Sequence, residues 1–83
     1  MWYIYILECK DKSLYTGITT DLKRRCKEHN SRVGAKSVLG KLPVKIVYSE
    51  RALDQREAAK REREIKGWPR IKKLNLIKDS SVT

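Results

Sequence analysis

Residues 2–7, WYIYIL, set Trp2, Ile4 and Ile6 on one side of an extended chain and Tyr3, Tyr5 and Leu7 on the other. Both sides are apolar or amphipathic, which predicts a central strand covered on two faces. The polar run KDKS within residues 8–13 predicts a hairpin connection to a second strand over residues 14–19, rich in β-branched and aromatic positions. Gly17 interrupts that strand, as expected of a bulge or of another group approaching the backbone closely. Asp21 then marks a helix start, and the helix runs to Asn30 with Leu22 and Cys26 on its apolar face. Residues 31–42 hold two glycines and little periodicity, and predict a long ordered loop.

Pro43 opens a third strand over residues 44–49. Asp54 and Glu57 form an Asp-x-x-Glu capping box for a helix reaching about Lys66. Gly67, in a left-handed cap, and Pro69 stop it. A last helix covers residues 70–78 with Ile71, Leu74 and Ile77 inward, and residues 79–83 form a flexible polar tail. The order β-β-α-β-α-α predicts an α/β domain spanning residues 1–78, with a small three-stranded, at least partly antiparallel sheet flanked by helices.

At 83 residues the chain suffices for one domain. Such a domain buries only roughly 60% of its unfolded surface, so a site must lie in a shallow groove. Twenty Lys and Arg against ten Asp and Glu leave a net charge of +10, which favours a polyanionic partner, nucleic acid first. No stretch is apolar enough to span a bilayer, and no basic leader precedes the first strand, so a cytoplasmic monomer is expected. Cys9, Cys26 and one histidine cannot alone build a four-ligand zinc site; reduced thiols are expected.

Cations crowd the last two helices, from Arg56 to Lys73, but Glu57, Glu62 and Glu64 interleave with them. This is either a solvated face with i,i+4 pairing or a phosphate-tracking surface. The contacts expected for nucleic acid are Arg32, Lys36 and Lys41 from the loop and Arg61, Lys66, Arg70, Lys72 and Lys73 from the helices. Arg25 and His29, four apart beside the apolar seam, read with Tyr15 either as a small site or as a surface arginine and a partly buried histidine.

Tyr3-Ile4-Tyr5, Tyr15-Thr16-Gly17, Arg25, His29 and an acid on a later helix together resemble the GIY-YIG nuclease family, in its small stand-alone single-domain branch. Tyr3 stands where the family name has Gly, and Thr16 where it has Ile. The resemblance implies a divalent-metal-dependent endonuclease that hydrolyses phosphodiester bonds in DNA, structure-selective or repair-related. It implies that Tyr5 and Tyr15 orient or deprotonate the attacking water, that Arg25 holds the scissile phosphate, and that His29 and Lys36 support them. It also implies one Mg2+ or Mn2+ ion on a glutamate of the long helix. Larger relatives carry a targeting domain; here a protein partner could serve instead. The alternatives are a non-catalytic nucleic-acid-binding module and a structural or protein-interaction domain.

These residue types suit the chemistry. A bidentate arginine matches charge on non-bridging oxygens, and a hard cation on a carboxylate matches the leaving oxygen. Tyrosine, with an ordinary pKa near 10, is a poor base unless assisted, so His29 rivals it. Glu57 is taken by the cap and Glu64 turns to solvent, whereas Glu62 shares a face with Ala58 and Ile65. An acid there needs either a metal or a buried cation such as Arg25.

Overall fold

The computed structural model describes residues 1–32 and 36–81 of the chain. Three strands, β1 (Trp2–Glu8), β2 (Leu14–Thr19) and β3 (Lys45–Ala52), alternate with helices α1 (Leu22–Asn30), α2 (Gln55–Lys66) and α3 (Arg70–Ser81) in the expected order. The sheet is antiparallel throughout, with β1 between β2 and β3.

The alternation along β1 builds two cores. Tyr5, Leu7 and Cys9 face a cluster with Val38 and Val44, against which Tyr15, Leu22 and Ile46 pack. Ile4 and Ile6 face the other way, onto Ala58 and Ile65 of α2 and onto Trp68, Leu76 and Ile77. The sheet thus carries α1 on one face and α2 with α3 on the other. Along β3 the strict alternation breaks: Ile6 pairs with Tyr48 but Leu7 pairs with Ile46, which leaves Val47 as the extra residue of a bulge. Val47 and Tyr48 consequently join the same core while Ile46 joins the other.

Both expected N-caps form. Asp21 Oδ1 accepts from the Arg24 N–H at 3.0 Å, and Asp54 Oδ1 accepts from the Glu57 N–H at 2.9 Å. Four expectations need correction. Within the expected loop, Lys36–Lys41 form a 3-10 helix, because Val38 is drawn into the core beside Leu7. Gly67 caps α2 at φ −78°, so its freedom to adopt a left-handed conformation is not used. Ile71 is 65% exposed, since Leu76 and Ile77 rather than Ile71 meet the sheet. Finally, α3 runs to Ser81, so residues 79–81 are helical rather than tail; residues 82–83 lie outside the described residues.

One side chain ties α1 to the rest of its layer. Asn30, the last residue of α1, donates from Nδ2 to the Val44 carbonyl at 3.0 Å and accepts at Oδ1 from the Val44 N–H at 2.8 Å. The amide thus acts as a one-residue strand partner for the chain entering β3. Asn30→Ala removes both bonds, leaving the Val44 N–H unpaired and its carbonyl with only the Cys26 thiol at 3.9 Å. The expected cost is about 1–3 kcal/mol, read as a lowered urea midpoint with an unchanged m-value.

Candidate active site

Register decides which side chains meet. Tyr5 pairs with Gly17, and Leu7 with Tyr15, so Tyr5 and Tyr15 stand diagonally on one face of the sheet, ring centroids 6.4 Å apart. Gly17 faces the Tyr5 ring. A Cβ built there would lie 2.5 Å from the Tyr5 hydroxyl oxygen and 2.7 Å from Cζ, far inside any allowed contact. The close approach expected at this glycine is therefore real, and the approaching group is the Tyr5 side chain.

The last turn of α1 brings His29 over both rings, 6.1 Å from Tyr5 and 5.5 Å from Tyr15, each edge-on. His29 is fully buried, deeper than its position beside the apolar seam suggests. Its Nε2 is 2.9 Å from the Tyr5 hydroxyl, a buried hydrogen bond between side chains 24 residues apart. Burial, and next the Arg25 charge, hold the imidazole below its ordinary pKa, with Glu28 pulling the other way. Tyr5 is displaced upward, chiefly by burial, while the hydrogen-bonding Arg25 guanidinium opposes the shift. At neutral pH the pair is an un-ionised phenol and a neutral imidazole. The bond is made either by the phenolic O–H donating to a bare Nε2 or, in the other imidazole tautomer, by Nε2–H donating to the phenol oxygen.

Arg25 stands beside this pair, partly buried, with Nη1 donating to Glu28 at 3.1 Å. Contact with Tyr5 raises the guanidinium's pKa still further, so it carries a permanent charge. The acid arrives from the opposite face of the sheet. α2 lies over β1 and β2: the charge of Glu62 acts on Tyr5, and Lys66 Nζ lies 5.9 Å from the Tyr15 ring centroid. Glu62 is 20% exposed and pairs with Lys66 at 3.5 Å, not with Arg25. Glu64 is turned outward onto Arg61.

The expected nucleic-acid contacts divide. Lys66 is in the site, and Arg70 follows it just past the α2 terminus. Arg32 is exposed, in a left-handed conformation at φ 67°. Lys41 pairs loosely with Asp11 at 4.0 Å. Arg61 is instead drawn to Glu50 at 2.8 Å, to Glu64 and to the face of Trp68, and Lys72 sits 4.3 Å from that ring's centroid. Lys73 is half-buried, and the Lys36 side chain lies outside the described residues. Asn30, adjacent to His29, was hidden from sequence reasoning because its partner is 14 residues away.

Among the described residues no three His, Cys, Asp or Glu side chains cluster as a metal site. What they offer is one partly exposed carboxylate, Glu62, whose charge acts on Tyr5 and which pairs with Lys66. That fits a hard cation which keeps several waters and takes its other oxygens from a substrate phosphate.

A family model described as the GIY-YIG catalytic domain matches residues 1–75. The chain is 51% identical over 82 residues to UPF0213 protein CPE1444 of Clostridium perfringens, covering 99% of this chain and 88% of that one. It is 50% identical over 80 residues to UPF0213 protein HQ_3675A of Haloquadratum walsbyi, covering 95% and 89%. The solution NMR structure of UPF0213 protein BH0048 from Bacillus halodurans matches with a TM-score of 0.59 at 46% identity, over 94% of this chain and 84% of that chain. Cys9 and Cys26 are free thiols, and no helix among the described residues is long and apolar enough to cross a membrane.

Two outcomes follow from the buried pair. Gly17→Ala forces the Tyr5 ring off its hydrogen bond; the fold should survive, by circular dichroism, while any hydrolysis that uses Tyr5 falls by about 10² or more. His29, held below its ordinary pKa of about 6.5, takes up a proton more readily in the unfolded chain. Stability should therefore decline as pH drops below about 6.5, and keep declining until the folded-state pKa is reached. Urea midpoints measured across that range should slope for the wild type and flatten in His29→Gln.

Proposed function

The chain belongs to the GIY-YIG catalytic domain family, and on that premise we propose that it is a divalent-metal-dependent endonuclease hydrolysing phosphodiester bonds in DNA. What supports this reading is the meeting of Tyr5, Tyr15 and His29 from β1, β2 and α1, with the charges of Arg25 and Glu62 acting on Tyr5. A module that only binds nucleic acid needs surface cations. It does not need a buried phenol–imidazole pair with an arginine and an acid beside it.

In this mechanism Arg25 holds the scissile phosphate through two parallel N–H donors and stabilises the charge that gathers on its non-bridging oxygens. Tyr5, being un-ionised, cannot take a proton from water unless it gives one up. The 2.9 Å bond to Nε2 supplies the outlet: as the water oxygen attacks phosphorus, its proton passes to the Tyr5 oxygen and the phenolic proton passes to His29. The imidazole is neutral and buried, and in the tautomer with Nε2 bare it accepts the phenolic proton. Tyr15 orients the water from the open side. Glu62 would hold Mg2+ or Mn2+, which when bound supplies Lewis-acid stabilisation of the leaving oxygen. Lys66, paired with Glu62 at 3.5 Å and half-exposed, would be available to the substrate backbone were Glu62 to hold the ion.

The decisive experiment incubates duplex, branched and single-stranded DNA, and RNA, with the protein, with and without Mg2+ or Mn2+. Metal-dependent cleavage by the wild type is expected, and Arg25→Ala should lower its rate by about 10²–10³ while remaining folded. Cleavage by Arg25→Ala at the wild-type rate would rule out the phosphate assignment. An Mn2+ titration followed by amide NMR should broaden signals around Glu62 in the wild type and not in Glu62→Gln; equal broadening in both would move the ion elsewhere.

A further inference from the structure

Beyond the site, the cations best placed for a substrate lie at the β1–β2 turn, which sequence reasoning passed over as a plain connection. The turn closes with the Lys12 N–H donating to the Cys9 carbonyl at 2.9 Å, and Lys12 takes a left-handed conformation at φ 72°. Its carbonyl accepts from Arg70 Nη2 at 2.8 Å, a contact spanning 58 residues of sequence. That bond fixes the turn against the start of α3, four residues beyond Lys66 across the break between α2 and α3. Ser13, at the end of the turn, is two residues from Tyr15, or about 7 Å along the strand at about 3.3 Å per residue. Two further lysines, Lys10 and Lys12, project from the turn, with the Lys12 side chain 74% exposed.

Pairing divides this end of the molecule from the other. Arg61 and Lys72 are committed to carboxylates or to the Trp68 ring. Among the described residues no carboxylate pairs with Lys10 or Arg70, and Lys12 has only Glu8, at a loose 3.8 Å. Exposed pairs of that kind give way readily to a stronger anion. The row Lys66, Arg70, Lys12, Lys10 therefore continues from the Tyr15 side of the site, its opposing carboxylates being Glu62, Glu8 and Asp11, each in an exposed or loose pair at 3.5–4.0 Å.

We infer that the nucleic-acid strand leaving the cleavage site runs over the β1–β2 turn, its phosphates carried by Lys66, Arg70, Lys12 and Lys10. This rests on the nuclease reading and adds a direction to it. The turn is thus a substrate-positioning surface. Its lysines touch phosphates remote from the reacting bond, so they contribute to ground-state and transition-state binding alike.

The test compares two double variants with the wild type. Lys10→Gln with Lys12→Asn removes two charges from the turn, asparagine being tolerant of the left-handed position. Arg56→Gln with Lys60→Gln removes two from the exposed side of α2, away from Glu62. Binding of a labelled duplex is measured over a salt series, and cleavage at saturating and limiting substrate. The turn variant should lose about two from the magnitude of the log K against log salt slope, and raise KM with kcat unchanged. The α2 variant should alter the slope by less. Equal slopes for the turn variant and the wild type, or an equal loss in both variants, would overturn the path and leave the nuclease assignment standing. A wild type without salt-dependent binding to any nucleic acid would overturn both.

Discussion

A phenol oxygen and an imidazole nitrogen 2.9 Å apart, both buried, hold three elements in one relation. Tyr5 comes from the middle of the central strand, His29 from the last turn of α1, and the room between them from the missing side chain at Gly17. Polar groups out of water must find partners, and each of these has the other. The bond therefore sets how far α1 can slide along the sheet, and with it where Arg25, one turn back from His29, comes to rest. The Asn30 bonds to Val44 brace the same helix end from the other side, so the imidazole is held between two anchored neighbours.

The central strand makes the second constraint. Because β1 contributes alternate residues to two cores, the face bearing the tyrosines cannot be tuned apart from the face bearing α2. Ala58 and Ile65 pin α2 onto Ile4 and Ile6. Glu62 and Lys66, beside that stripe on the helix, are then placed so that Lys66 reaches the Tyr15 ring and the Glu62 charge acts on Tyr5. A two-faced site of this kind needs no cavity, which suits a domain too small to enclose one.

Local chemistry made much of this legible. Alternation marked β1 and its two faces, Asp21 and Asp54 marked the helix starts, and the glycine in β2 announced a close approach. Tyr5, Tyr15, Arg25 and His29, singled out by their resemblance to a family pattern, lie together around one buried hydrogen bond. What escaped depends on distant partners. No neighbour in sequence tells Asn30 that it will bind Val44, or Arg61 that Glu50 will claim it, or Val47 that a bulge will turn it over. The inward face of α3 was misjudged at Ile71 because Ile71, Leu74, Leu76 and Ile77 spread around the helix and define no single stripe. The 3-10 segment was missed because a single buried valine, not a periodic pattern, organises it.

The chain has a single histidine, and it lies at the centre of the site. Every imidazole signal in a proton spectrum of this protein therefore reports on that one ring, without assignment or isotopic labelling. The fold thus comes with a built-in probe: the line shape of one resonance records the tautomer, the protonation and the opening of the buried pair. It does so in the unmodified chain, at any temperature or solvent composition in which the domain stays folded.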